Sequence, residues 1–160
     1  MLPTWQRAAA WLAVVLIVVW LLSMTLRPGS QPNGINLVPF SQKRLALTCL
    51  VEPSCLQQDD AFGFLFVDLL GNIAVFIPLG VALAAATLPE RTSAGQRTRS
   101  DKRRWLIIVA AGLLLSLSIE LAQLAIPTRA TDVDDVILNT LGTAAGAAIV
   151  WSLYRVISNE

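Results

Sequence analysis

Three pairs of polar side chains in this chain could do chemistry. The pairs are Asp68 with Asn72, Glu120 with Gln123, and Asp135 with Asn139. Residues three or four positions apart lie on one face of a helix, so each pair is expected to act together. Carboxylates can serve as general acids or bases, and they also bind hard cations such as Mg²⁺ or Ca²⁺. The chain has no histidine, which removes the usual acid/base at neutral pH and the commonest zinc ligand.

Membrane-spanning helices are the elements that must position these pairs. The chain has 160 residues, of which 55% are hydrophobic and 14% charged, and its mean hydropathy is +0.63. Soluble domains rarely have such values. Four runs, residues 8–26, 62–88, 105–126 and 136–154, are long and apolar enough to cross a bilayer. The first exceeds a signal-peptide core, which favours a retained helix. We predict one all-α domain over residues 1–160, a four-transmembrane-helix bundle.

The distribution of charge predicts how the bundle is oriented. The loop at 89–104 holds six basic residues against Glu90 and Asp101. The positive-inside rule places that loop in the cytoplasm, and both termini with it. The connections at 27–61 and 127–135 are then outside. Arg27, Lys43 and Arg44 in the first of these oppose the rule, but they are half as many as the basic residues of the inner loop.

With this orientation, the three pairs lie at one depth near the outer surface. From the rise of a helix, Asp68 and Glu120 both lie about 9 Å below that surface, and Asp135 lies at the boundary. Charged groups inside a bilayer are costly unless they find partners or water, so we expect the pairs to face one another. The fourth helix also carries Gly142 and Gly146, whose G-x-x-x-G spacing is typical of close helix packing.

The loop at 127–135 has two compatible interpretations. Thr131 to Asp134 fits a capping box at the start of the last helix. Alternatively Asp132, Asp134 or Asp135 belongs to the site, with Arg129 as the partner cation. One acidic residue can cap the helix while another faces inward.

Two cysteines, Cys49 and Cys55, lie in the predicted outer connection. An oxidising exterior favours a structural disulfide between them, and two unpaired thiols are the alternative. Two cysteines are a poor metal set by themselves, and their spacing is not the Cys-x-x-Cys of a redox pair.

Chemistry alone leaves three functions open. The first is catalysis on an envelope lipid or lipid-linked glycan, with Asp68, Glu120 or Asp135 as acid/base and a divalent cation as an optional cofactor. The second is binding or translocation, with Arg129 recognising an anionic headgroup or the acids recognising a cation. The third is a satisfied polar network that fixes the bundle. No nucleic-acid partner is expected, and the oligomeric state is left open.

An ordered set of short motifs resembles the VanZ-like family of bacterial membrane proteins. The motifs are NLVPF at 36–40, DLLGNI at 68–73, FIPLG at 76–80, SIELAQ at 118–123, Arg129, and DVDDVILNTLG at 132–142. Each motif is weak alone, but their order and spacing are specific. The resemblance covers residues 36–146 and leaves out the first helix.

The resemblance implies a multi-pass protein of the bacterial cytoplasmic (inner) membrane with four helices. The family is named after a factor in teicoplanin, hence glycopeptide, resistance, and it implies no established reaction. By position it implies functional roles for Asn36, Pro39, Asp68, Asn72, Glu120, Gln123, Arg129, Asp132, Asp135 and Asn139. Thr128 replaces a residue that is often glycine, and the segment from Cys49 to Cys55 looks like an elaboration. The expected function is therefore binding of an envelope lipid, glycan precursor or glycopeptide-like ligand in an outward-facing polar pocket.

Overall fold

The computed structural model describes residues 4–29, 34–52, 58–88 and 94–158. Four helices in these ranges are long and apolar enough to cross a membrane: Thr4–Thr25, Ala61–Ala86, Asp101–Gln123 and Val133–Ile157. Their bounds differ from the predicted ones by about one helical turn or less. The predicted all-α architecture with four transmembrane helices is confirmed.

The chain folds into six α-helices and two short strands within the described ranges. In order, the elements are α1 (Thr4–Thr25), β1 (Gly34–Asn36), α2 (Ser41–Val51), α3 (Gln58–Leu65), a π-helical turn (Phe66–Leu70), α4 (Gly71–Ala86), α5 (Ala94–Gln123), β2 (Ala130–Asp132) and α6 (Val133–Ser158). Helix α6 packs against α4 and α5, while α1 packs against α4. The second membrane span is built from the end of α3, the π-helical turn and α4.

The connections contain more regular structure than the sequence predicted. The segment at 27–61, expected to be a plain loop, contains β1, α2 and the start of α3. Strand β1 pairs in parallel with β2, with Ile35 opposite Thr131. The predicted loop at 89–104 is largely helical, because α5 begins at Ala94. After Gly95 no glycine or proline interrupts this stretch, which is rich in arginine and lysine, and both residues favour a helix.

Helices α4 and α6 approach each other closely at glycine positions. A Cβ atom on Gly142 would overlap the carbonyl oxygen of Ile73, and one on Gly146 would overlap that of Ile77. The predicted role of the G-x-x-x-G pair in helix packing is therefore confirmed, since only glycine leaves room for the backbone of α4. This contact fixes the distance between two of the helices that carry the polar pairs.

Two apolar clusters form the core of the bundle. One joins α1, α4 and α5 through Leu21, Phe76 and Ile119, and the other lies around Ile108 and Trp151. Many large apolar side chains on the outer faces of the spans are exposed, as expected for helices whose solvent is lipid. We call the end of the bundle beside β1 and β2 the strand end, and the opposite end, where α5 carries Lys102, Arg103 and Arg104, the basic end.

Candidate functional site

Lys43 joins two carboxylates at the strand end. Its Nζ lies 2.7 Å from Oδ2 of Asp134 and 2.6 Å from Oδ2 of Asp68. The Lys43 side chain is 5% exposed and Asp134 is fully buried, whereas Asp68 is 27% exposed. Burial alone would lower the pKa of Lys43, but the hydrogen bonds to Asp134 and Asp68 and their negative charges outweigh it. The pKa of Lys43 is therefore raised above its usual 10.5, and the lysine is charged at neutral pH.

The fully buried Asp134 is held by a backbone contact as well as by Lys43. The backbone N–H of Phe40 donates to its Oδ1 at 2.7 Å. Phe40 precedes α2 and has a φ of 57°, a left-handed conformation that is uncommon outside glycine. Such strain costs about 1–2 kcal/mol and persists where surrounding contacts fix the backbone. Here the conformation directs an N–H at the buried carboxylate, so the carboxylate has bonds on both oxygens.

Asp68 lies in the π-helical turn and leads to the next contact of the network. A π-turn inserts an extra residue into a helix and is frequent at functional sites. The amide of Asn72 donates to the backbone oxygen of Asp68 at 2.9 Å and to Oδ1 of Asp135 at 2.8 Å. Asn72 thus links the second span to α6, as the predicted matched depth required.

A second branch connects β1, β2 and α5. The amide of Asn36 donates to both carboxylate oxygens of Asp132 at 3.1 Å. The backbone N–H of Asp132 donates to Oε2 of Glu120 at 3.0 Å. Oδ1 of Asp132 also accepts from the N–H of Asp134 at 2.9 Å, so Asp132 caps α6. The predicted capping box, which began at Thr131, is therefore wrong by one residue, because α6 begins at Val133.

Asn139 closes the network one turn deeper in the bundle. Its Nδ2 donates to Oγ of Ser116 at 2.9 Å, and Ser116 in turn lies 3.5 Å from the backbone oxygen of Asp135. Asn139 and Ser116 are both buried. Oδ1 of Asn139 has no hydrogen-bond partner among the described residues. A buried amide oxygen of this kind is costly unless water or a ligand group reaches it.

Gln123 and Arg129 contact a different part of the strand end. Nε2 of Gln123 and Nη2 of Arg129 both donate to the backbone oxygen of Thr25, at 2.9 and 2.6 Å. Thr25 is the last residue of α1, and the carbonyl groups of a final helical turn lack partners within the helix. The two side chains therefore tie α1 to the rest of the bundle.

In a comparison with protein-family models, the model described as VanZ/LLP1 matches residues 9–155. The chain belongs to the VanZ/LLP1 family. The match includes the first helix, which the motif resemblance had left out. No curated protein and no solved structure matches the chain in the corresponding comparisons.

Seven of the predicted site residues of this VanZ/LLP1 chain belong to one network of contacts. They are Asn36, Asp68, Asn72, Glu120, Asp132, Asp135 and Asn139. Gln123 and Arg129 lie at the same end but contact α1. The spacing of the polar pairs predicted that five of these residues would meet, namely Asp68, Asn72, Glu120, Asp135 and Asn139. The expectation that Gln123 acts together with Glu120 is wrong, because Gln123 contacts α1. Whether the residues bind a ligand or catalyse a reaction stays a prediction.

Lys43, Ser41 and Ser116 belong to the network although the sequence did not identify them as site residues; Oγ of Ser41 donates to Oδ1 of Asn36 at 3.0 Å. The sequence indicates only that Lys43 is one of three basic residues in an outer connection. One feature of the sequence points to Lys43: carboxylates are in excess at matched depth, and no cation except Arg129 is assigned to them. Because buried carboxylates are generally paired, the surplus of acids required a further cation from another segment.

A cavity opens beside the network at the strand end. Its volume is about 430 Å³, and it is lined by Gly34, Ile35, Leu124, Arg129 and Thr131. The lining combines one guanidinium with two exposed apolar side chains, Ile35 and Leu124. A site of this composition is suited to an amphiphile with an anionic group.

Two further predictions concern the cysteine pair and a bound metal ion. Cys55 lies outside the described residues and Cys49 lies in α2, so the pairing of the two stays a prediction. Within the same ranges, no group of three or more acidic or cysteine side chains is arranged to hold a metal ion.

Proposed function

We propose that this VanZ/LLP1 protein binds an anionic envelope lipid or lipid-linked glycan precursor at the strand end, which faces outward. The observation that supports this most is the cavity lined by Arg129, Ile35 and Leu124. Guanidinium groups bind phosphate through paired, charge-assisted hydrogen bonds. Ile35 and Leu124 would lie along the hydrocarbon chain of the same molecule.

The network at the strand end supports the same proposal by holding the cavity walls in place. Thr131 lines the cavity, and its hydroxyl lies 3.4 Å from the backbone oxygen of Glu120. Glu120 in turn accepts the N–H of Asp132, which is held by Asn36. Asp68, Glu120, Arg129 and Asp135 remain the centre of the proposed site. We propose that the acids position the strands and helices while Arg129 contacts the ligand.

The proposal also covers the location of the protein and a second class of ligand. We place the protein in the bacterial cytoplasmic membrane with both termini inside. A glycopeptide-like ligand, and with it a contribution to teicoplanin resistance, is the extension that the family name suggests. The cavity chemistry favours a lipid phosphate over a glycopeptide, because a single cation beside apolar side chains suits an amphiphile.

Binding of a polyprenyl phosphate to the purified chain in detergent tests the proposal. Arg129→Gln is expected to weaken binding about tenfold, as loss of one charge-assisted hydrogen bond would. Arg27→Gln is the matched control, since Arg27 is exposed and does not line the cavity. Equal binding by wild type and Arg129→Gln, with both proteins folded, would count against the site.

Glu120→Gln separates a binding site from a purely structural network. Glutamine keeps an oxygen to accept the N–H of Asp132 but removes the charge. If Glu120→Gln folds normally but binds the ligand more weakly, the result supports a binding site. Failure to insert or pack favours a structural network, and unchanged binding excludes a central role for Glu120.

The alternative function is enzymatic modification of a lipid or lipid-linked glycan. The observation in its favour is that Asp68 is partly exposed, while Asp135 is held near it through Asn72. Either carboxylate could then exchange a proton with a bound substrate. Incubation of the purified chain with a panel of labelled envelope lipids should yield a new product; a panel without any product counts against this alternative.

A further inference from the structure

A second cavity lies at the basic end, between α5 and α6. Its volume is about 400 Å³, within the range of small-molecule sites. Helix α5 contributes Asp101, Lys102 and Leu106, and helix α6 contributes Trp151 and Arg155. None of these residues takes part in the network at the strand end. This cavity therefore needs its own explanation.

Two side chains that line the cavity carry buried polar atoms without partners. Oδ1 of Asp101 and Nε1 of Trp151 have no hydrogen-bond partner among the described residues. Asp101 is 6% exposed and Trp151 is 5% exposed. Buried polar atoms are rarely left unbonded, because the loss of hydration is not recovered. The carboxylate oxygen comes from α5 and the indole N–H from α6, and a ligand in the cavity with both a donor and an acceptor would satisfy them.

The charges around the cavity narrow the chemistry of that ligand. Lys102 and Arg155 also line it, and both are exposed. The cavity thus offers one anionic acceptor, one indole donor and two cations. A zwitterion with an N–H-bearing ammonium and a phosphate matches all four groups. A trimethylammonium headgroup has no N–H to offer the carboxylate.

The position of the cavity along the spans indicates a lipid. Asp101 is the first residue of the third membrane span, and Trp151 lies in the last two turns of the fourth. Tryptophan is enriched at this level, where the bilayer meets water. Leu106 lines the same cavity one helical turn further into the bilayer and is 60% exposed. Polar groups at the interface with an apolar wall below them match a headgroup joined to acyl chains.

We propose that this cavity binds the headgroup of a phosphoethanolamine lipid. The ammonium donates to Asp101, and the phosphate accepts from Trp151, Lys102 and Arg155. The site is independent of the proposed ligand site at the strand end, because the two share no residues.

Lipid binding to the full chain in detergent, followed by native mass spectrometry, tests the proposal. The probes are dioleoyl phosphatidylethanolamine, phosphatidylcholine and phosphatidylglycerol, with soluble glycerophosphoethanolamine as a fourth. We expect phosphatidylethanolamine to bind about tenfold more tightly than the other two lipids, as one charge-assisted hydrogen bond would give. The soluble headgroup should bind more weakly than the lipid, and equal binding would overturn the assignment to a lipid.

Three variants assign the preference to the cavity. Asp101→Asn should abolish the preference over phosphatidylcholine, while Arg103→Gln, outside the cavity lining, should keep it. Trp151→Phe keeps the aromatic packing and removes the N–H, so it should weaken both phosphatidylethanolamine and phosphatidylglycerol; it provides the test if Asp101→Asn fails to fold. Equal binding of the three lipids by wild type, an unchanged preference in folded Asp101→Asn, or unchanged affinities in folded Trp151→Phe would overturn the proposal.

Discussion

The ammonium of Lys43 lies 2.7 Å from a carboxylate oxygen of Asp134, a residue 91 positions away in the chain. This pair fastens the connection after α1 to the first turn of α6. A buried ion pair is not by itself a large source of stability, because both charges lose their hydration. Removal of one partner is strongly destabilising, because the remaining charge stays buried without its counter-ion.

Lys43→Met should therefore destabilise the protein strongly. Methionine has a similar length but leaves the fully buried Asp134 without its cation, and breaking one side of a buried pair costs about 3–5 kcal/mol. The measurement is the free energy of unfolding in detergent micelles. Arg44→Met is the control, because Arg44 is exposed and should change stability by less than about 0.5 kcal/mol. Equal losses in the two variants would contradict the role of Lys43.

The raised pKa of Lys43 predicts how stability depends on pH. The folded protein holds the proton more tightly than the unfolded chain, so this contribution is complete below the ordinary lysine pKa of 10.5. It is lost as the pH rises through the higher pKa of the folded state. The difference in unfolding free energy between wild type and Lys43→Met should therefore be constant from pH 7 to 9 and shrink above about pH 10.5. If the difference already shrinks between pH 7 and 9, the pH dependence of stability comes from a group other than Lys43.

Close packing of α4 on α6 gives a steric prediction. Gly146→Ala should destabilise the bundle by about 1–3 kcal/mol, the usual cost of overpacking, because its Cβ would overlap the carbonyl oxygen of Ile77. Gly71→Ala is the matched control, since nothing lies within 4 Å of a Cβ built there. Alanine at Gly71 should be neutral or stabilise the helix by up to about 1 kcal/mol. Thermal unfolding of the two variants compares them, and similar losses would argue against close contact at Gly146.

The sequence predicted the parts of this structure that depend on local pattern. Apolar runs predicted the four spans, and spacing predicted that Asp68, Glu120 and Asp135 would share one end of the bundle. The G-x-x-x-G pair predicted the packing of α6. In each case the signal lies within one helix: the bilayer penalises exposed polar groups, and close helix packing excludes bulky side chains.

Other features of the structure depend on contacts between distant segments. Lys43 lies in a polar stretch that gives no indication of burial, and its partners come from two other elements. Strands β1 and β2 have three residues each, too few for an alternating pattern. Helix α6 begins at Val133 because Asn36, on β1, holds Asp132 in the capping position. A sequence read one segment at a time could not supply these pairings.

The buried pair of Ser116 and Asn139 gives a prediction with an internal control. Ser116→Ala removes the acceptor for Nδ2 of Asn139, whose Oδ1 already has no partner among the described residues. An unsatisfied buried amide should cost about 1–3 kcal/mol. Ser118→Ala should cost less than about 0.5 kcal/mol, because the Ser118 hydroxyl is exposed and donates to the backbone oxygen of Leu114 in its own helix. Unfolding in micelles distinguishes them, and equal costs would contradict the role of Ser116.

The orientation of the bundle gives the last prediction, and the buried lysine bears on it. Lys43 opposed the positive-inside count, but its charge is balanced by Asp68 and Asp134 inside the fold. Without Lys43, the connection at 27–61 has two basic residues, Arg27 and Arg44, compared with six at 89–104. Because the rule weighs lysine and arginine near the span ends, the remaining asymmetry predicts a cytoplasmic C-terminus. A green fluorescent protein fused after Glu160 should fluoresce, and alkaline phosphatase fused there should be inactive; the reverse pattern would invert the bundle and put the strand end in the cytoplasm.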